Sequence, residues 1–309
     1  MRKNFPLLLG LGLSVLAGCS KEYAGSNDNG TLVPIELGAG VNVISRAVIS
    51  SGSEVKAGIA GWEAASTPTY AEAPGWGGSG DPEVITTTAS ETAQNVAWTA
   101  QRYYAPDGKT TYMKAWSPAG TFSTSNTVSF TNTDGSVDVL LAPVVSGSKT
   151  GKVSAPLAFR HMASQIKFSV KKGEGLAEGT KIESITIKDA QLPIGFDLKK
   201  GIDDDGAVTY ASAADLTVPN IDGSKEISNT AAGDLVGDAV MIKPIASKTF
   251  TVDITTTNAS YEGKTVTVTT DQVLAGYAYE ITLTFGQAGI ELTATVADWK
   301  TAAGSAEIQ

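Results

Sequence analysis

Val33-Pro34-Ile35-Glu36-Leu37-Gly38-Ala39-Gly40-Val41-Asn42-Val43 carries an apolar residue at every odd position. Glycine, proline or a polar residue stands at every even one. A period of two puts one set of side chains on each face of an extended chain, so this stretch reads as a strand with one buried face. The same alternation recurs downstream in Ile166, Phe168 and Val170, in Ile185 and Ile187, in Val252 and Ile254, and in Val266 and Val268. Ile281, Leu283 and Phe285 form another face, and Ile290, Leu292, Ala294 and Val296 a last one. Valine, isoleucine and threonine fill these runs, as half-buried sheet surfaces favour. Asp107-Gly108, Asp134-Gly135 and Asp222-Gly223 mark turns between them. Residues 211–215 could form one helical turn at most, and no internal repeat of fixed period is present. The class expected is all-β, with two β-sandwiches in tandem. Lys171-Lys172-Gly173-Glu174-Gly175 breaks the alternation and places the division near residue 172.

Ahead of the first strand, Arg2 and Lys3 precede an apolar stretch over residues 5–17. It is too short to span a bilayer and has the charge order of a secretory leader. Leu16-Ala17-Gly18-Cys19 ends it on the only cysteine of the chain. Small residues before a cysteine form the pattern of a lipoprotein signal, with Cys19 as the acylated residue. Each buried acyl methylene contributes about 0.8 kcal/mol, so several chains hold a protein firmly on a membrane. The expected organisation is a signal peptide over 1–18 and a lipidated propeptide over 19–45, made of a polar tether and the first strand. An amino-terminal sandwich over 46–172 and a carboxyl-terminal sandwich over 173–309 follow.

Loss of Arg2 and Lys3 with the leader takes the formal charge from −9 to −11. An acidic surface argues against nucleic acid as a partner. With Cys19 acylated, no thiol remains for a disulfide, a cysteine metal cluster or a nucleophile. His161 is the only histidine and reads as a structural group in a strand. No zinc site and no Ser-His-Asp triad avoiding His161 can be built. Asp203-Asp204-Asp205-Gly206 lacks the spacing of a calcium loop and reads as an acidic hairpin tip. No catalytic residue, metal or cofactor is expected.

Four features together resemble the fimbrillin-like family, the type V pilins. One is Phe159-Arg160-His161-Met162-Ala163-Ser164-Gln165-Ile166-Lys167-Phe168-Ser169-Val170. A second is the stretch 98–118 (WTAQRYYAPDGKTTYMKAWSP). A third is the ending, Ala275-Gly276-Tyr277 and the strand over 279–285, followed by 290–299. The lipoprotein signal is the fourth. The resemblance implies transthyretin-like sandwiches and export as an outer-membrane lipoprotein. It also implies cleavage after an arginine by a trypsin-like surface protease. In this chain the matching arginine is Arg46, cut from Ala47. The displaced strand then carries Val33, Ile35, Leu37, Ala39, Val41 and Val43, and a strand from a neighbouring subunit takes its place. The candidate donor end is Ile290, Leu292, Ala294 and Val296, with Trp299. The partners implied are other fimbrial subunits, the outer membrane through the lipid, and a host or bacterial surface glycan or protein. The chain would be a tip or minor subunit, or a stalk subunit.

Two other readings stand beside this one. Trp62 and Trp76, the latter in Pro74-Gly75-Trp76-Gly77-Gly78, are candidates for an adhesive surface, because exposed aromatics stack on sugars. They support a surface lipoprotein that binds glycans and never polymerises. Trp98 and Trp116 read as core. A secreted hydrolase would need two carboxylates converging in a cleft. An integral, buried first strand favours the fimbrial reading; a sandwich complete without it favours the glycan binder.

Overall fold

The computed structural model describes residues 32–41, 52–78, 82–229 and 233–298. Among them are 21 strands and no helix. In chain order the first eleven are β1 (Gly38–Val41), β2 (Glu54–Ala64), β3 (Glu83–Thr88), β4 (Gln94–Asn95), β5 (Ala97–Trp98), β6 (Thr110–Ser117), β7 (Thr121–Phe122), β8 (Thr127–Ser129), β9 (Leu140–Leu141), β10 (Val145–Gly147) and β11 (Leu157–His161). The remaining ten are β12 (Ser164–Lys172), β13 (Ile182–Ala190), β14 (Pro193–Asp197), β15 (Val208–Tyr210), β16 (Ala214–Thr217), β17 (Asp234–Ile242), β18 (Thr249–Thr256), β19 (Ser260–Thr267), β20 (Tyr277–Gly286) and β21 (Gly289–Asp298). The protein is all-β, as the alternation predicts.

The first sheet runs β4-β1-β11-β9-β6-β2-β3-β5, with β10 on β6. Only Val96 separates β4 from β5, yet β4 pairs with β1 and β5 with β3. One short segment therefore joins the two ends of the sheet order. The sheet curls round its own core, which hides edges that would otherwise stand open. That core holds Ile35, Leu37, Ile59, Ile85, Met113 and Phe159, all buried. Gly108 and Gly135 sit at φ of 81° and 77°, the left-handed turn conformation that Asp-Gly predicts.

Beyond it, β17-β12-β20-β21 and β16-β13-β18-β19 form two four-stranded sheets. Their inward faces share one core containing Ile166, Phe168, Ile185, Val252, Leu283 and Phe285. These are the odd or even sets that the sequence assigns to a buried face. Residues 211–215 are not a helical turn. Ala214 and Asp215 belong to β16, where Leu216 turns its side chain into this core.

A fourth sheet, β15-β14-β8-β7, takes strands from both sides of residue 172. Its core holds Trp116, Phe122, Val128, Phe196, Val208 and Met241. β6 serves two cores, sending Met113 and Ala115 to the first and Trp116 to the third. Pairing partners change at Met162-Ala163. β11 pairs with β1 and β9, whereas β12 pairs with β17 and β20. The polar break at 171–175 is the end of β12. A strand end reads the same in sequence whether or not a domain ends with it.

Candidate functional site

The alternation over residues 33–41 becomes a slot filled by a strand. β1 pairs in parallel with β11, matching Ala39 to Leu157 and Val41 to Phe159. On its other side it pairs antiparallel with β4, matching Gly38 to Asn95. The stretch before β1 is held by backbone bonds: Ile35 N–H donates to Arg102 O at 2.8 Å, and Tyr104 N–H donates to Val33 O at 3.0 Å. Val96 N–H donates to Leu37 O at 3.0 Å, and Val41 N–H to Ser90 O at 2.9 Å. Gln101 Nε2 reaches Ile35 O at 3.0 Å. Peptide groups on both sides of the segment are thus satisfied by other parts of the chain.

Its odd side chains point inward. Ile35, Ala39 and Val41 are 0 % exposed and Leu37 is 5 % exposed, while Val33 is half-buried against the same core. Three fully buried aliphatic side chains contribute about 6 kcal/mol gross. Without them the core would face solvent through the slot between β11 and β4. Glu36, on the opposite face, is exposed.

Sequence reasoning missed the second wall of this slot. The wall is residues 90–104, which contain only the two-residue strands β4 and β5. Short strands carry too few residues to show a period. The wall is braced by an ion pair between Arg102 and Glu83, with the Arg102 guanidinium 5.7 Å over the Trp76 ring.

Val43, Arg46, Ala47, Cys19 and Trp299 lie outside the described residues. The other four donor candidates, Ile290, Leu292, Ala294 and Val296, sit in β21 and pack half-buried against the carboxyl core. β21 is paired along its length with β20. Of the two proposed surface tryptophans, Trp62 is in the core: it is 3 % exposed and its Nε1 donates to Glu72 O at 2.9 Å. It offers no surface for an adhesive contact, because residues 57–62 of β2, which include it, are buried on both faces. Trp76 is half-buried, flat against Gly61 and 5.9 Å edge-on to Trp98. Trp116 is fully buried, and Trp98 packs on the first core.

His161 Nδ1 lies 2.9 Å from Asp138 Oδ2, with both side chains buried. Asp203 receives both its bonds from Arg160, at 2.9 and 3.1 Å. Among the described residues, no three His, Cys, Asp or Glu side chains are gathered to hold a metal ion.

One lysine escaped the sequence reading. Lys114 lies in β6 between Met113 and Ala115, on the face of Tyr112 and Trp116. Its Nζ donates to Leu198 O at 2.5 Å and Lys200 O at 2.8 Å and lies 3.9 Å over the Tyr70 ring. It ties β6 to the chain beyond β14, beside a cavity of about 230 Å3. Burial pushes its pKa down from 10.5 to about 8, against the pull of Asp197 and Asp204. Below pH 8 the folded and unfolded chains both carry the proton, and the fold bears the whole burial cost. Between about 8 and 10.5 only the unfolded chain holds it, so stability rises with pH. Solvent screening keeps the gain to about 1–2 kcal/mol. The melting temperature of the native chain is expected to rise between pH 7.5 and 10 relative to that of a Lys114→Met chain. Parallel pH profiles for the two would contradict this.

The profile of the fimbrillin-like family matches residues 50–299. The chain belongs to the fimbrillin-like family. Fimbrillin-like proteins are named for fimbriae, which are cell-surface appendages. Two solved structures share the fold of this fimbrillin-like chain. One is a putative cell adhesion protein from Bacteroides uniformis, 19 % identical, with a TM-score of 0.57 over 86 % of this chain and 99 % of that one. The other is a putative cell adhesion protein from Bacteroides ovatus, 14 % identical, with a TM-score of 0.55 over 88 % of this chain and all of that one. No curated protein is detectably similar in sequence.

Proposed function

We propose that this fimbrillin-like chain is a fimbrial subunit, tip, minor or stalk, assembled by protease-triggered strand exchange and supporting adhesion. Cys19 anchors the precursor to the outer membrane. A cut between Arg46 and Ala47 frees residues 19–46 with the strand they contain, and a strand of a neighbouring subunit fills the slot. The observation that carries this reading is the embedding of residues 33–41 between β11 and β4, with four side chains in the core. While covalently attached, that strand competes at the effective concentration of a short tether, in the millimolar range. A cut removes this advantage, and β-augmentation by another chain can then supply both ladder bonds and pocket-filling side chains.

The glycan-binding alternative loses Trp62 and requires a sandwich complete without its first strand. Exchange is tested in cells by Arg46→Ala. The variant is expected to be exported and lipidated but to stay uncut and out of fimbriae. Fimbriae of normal length and number containing the uncut variant would overturn the proposal.

A further inference from the structure

The two walls of the slot are built unequally. β11 is paired on both sides, with β1 and β9, and its Leu157 and Phe159 are buried in the core. The opposite wall over residues 90–96 is fixed at its ends. Ahead of it, Ala89 N–H donates to Ser53 O at 2.8 Å. Behind it, Ala97 and Trp98 pair with Thr86 and Ile85 in β3. Among the described residues, the backbone bonds of 90–96 to other segments all go to the first strand. Ser90 O accepts from Val41 N–H, Val96 N–H donates to Leu37 O, and β4 has β1 as its one strand partner. Residues 91–95 are exposed, and of 90–96 only Val96 packs on the core.

We infer that residues 90–96 are a strap that swings aside, so that the resident strand leaves the slot sideways while β11 stays in place. This rests on the strand-exchange reading above and gives the exchange its route. A segment with few buried apolar contacts and solvent-exposed backbone bonds opens at a small cost in free energy. The strap is such a segment and β11 is not. Sliding endwise by one residue would turn the whole apolar set away from the core, so the strand does not leave along its own axis.

Two glycines let the strap close. Gly38 and Gly40 do not adopt the left-handed backbone that requires glycine. They stand on the outward face of the strand, where a missing side chain lets another backbone approach closely. A β-carbon on Gly40 would lie 3.3 Å from Ser90 O, 3.5 Å from Glu91 O and 3.7 Å from Ala93 Cα, all in the strap. One on Gly38 would lie 3.5 Å from Ala93 Cβ in the strap and 3.6 Å from Pro156 Cβ, just ahead of β11. Position 38 therefore lies within reach of both walls. The two spacings match those of bonded cysteines, whose β-carbons stand about 3.5–4.5 Å apart.

The test uses the full-length Cys19→Ser chain, which holds no other thiol. Gly38→Cys is combined with Ala93→Cys, which ties the strand to the strap, or with Pro156→Cys, which ties it to the β11 side. Each oxidised chain is cut with trypsin at limiting dose. Opening is read by uptake of a hydrophobic dye and by hydrogen exchange at the Ile35 amide, whose bond to Arg102 O lies outside the strap. The 38–93 chain is expected to open within about twofold of the Cys19→Ser parent, because strand and strap swing out together. The 38–156 chain should open at least about tenfold less, and reduction should restore it. If the two oxidised chains open alike, or only the 38–156 chain opens, the inference falls while strand exchange stands. Should either pair misfold, the unaltered uncut chain decides. A Val96 amide that exchanges as slowly as the Met162 amide, bonded to Val139 O, would overturn the inference. If the cut parent takes up no dye and its Ile35 amide is as protected as that of Met162, the first strand is a fixed part of the sheet. The exchange reading then falls and takes the inference with it.

Discussion

An Ile35→Asp chain is expected to lose about 4 kcal/mol of stability and to melt about 10 °C below the native protein. Ile35 is fully buried, so the substitution removes its transfer energy and offers a carboxylate to an apolar core. The chain has a cheaper course than burying that charge. It can let residues 33–41 swing out, which caps the loss near the gross contribution of the strand, about 6 kcal/mol. Ordering entropy released by the freed segment offsets part of this. The variant should also expose the slot without any cut, visible as binding of a hydrophobic dye and faster proteolysis in the amino-terminal sheet. Glu36→Lys, on the exposed face of the same segment, should change stability by no more than about 0.5 kcal/mol. A melting temperature for Ile35→Asp within about 2 °C of native would show that the segment contributes nothing to the fold.

After cleavage at Arg46, the fragment ahead of the cut is expected to leave the body at micromolar protein concentration. Burial of Ile35, Leu37 and Val41 contributes about 6 kcal/mol, and the ladder bonds add roughly 0.5–1.5 kcal/mol each. Bimolecular association costs roughly 4–15 kcal/mol in lost freedom. With about five such bonds and mid-range values, the gain of about 11 kcal/mol exceeds a cost of about 9.5 kcal/mol by only about 1.5 kcal/mol, which corresponds to a Kd far above micromolar. An intact chain does not meet that cost, because its strand is already attached. Gel filtration of trypsin-treated protein at about 1 μM, with mass spectrometry of the peak, should show a body beginning at Ala47 and lacking the upstream fragment. Co-elution of the two pieces at that concentration would mean that cleavage alone does not open the slot. It would also mean that a partner must pull the strand out.

The sequence was most informative where local parity decides the outcome. Period-two alternation named the buried side chains of β12, β13, β18, β20 and the first segment correctly, because a strand sends successive side chains to opposite faces whatever lies beside it. Asp-Gly pairs located turns for the same local reason. It was least informative about residues whose role depends on a distant neighbour. Trp62 looked like an adhesive aromatic and proved to be core. Its burial comes from the neighbouring strands and from the Glu72 carbonyl ten residues on. Lys114 gave no sign of its task, since the carbonyls it holds belong to Leu198 and Lys200. Gln101, Arg102 and Ser90, which grip the first segment, sit in a stretch with no period at all.

The amino-acid order alone determined that this is a β protein, which face of each long strand is apolar, and where Asp-Gly pairs turn the chain. Those are properties of a chain a few residues long. Only the tertiary structure decided that residues 33–41 lie between β11 and β4, inside a sheet that curls until its ends share one short segment. Such pairings join residues about 50 to 120 positions apart. They are selected by the closing of a whole core, not by the preference of any residue within it.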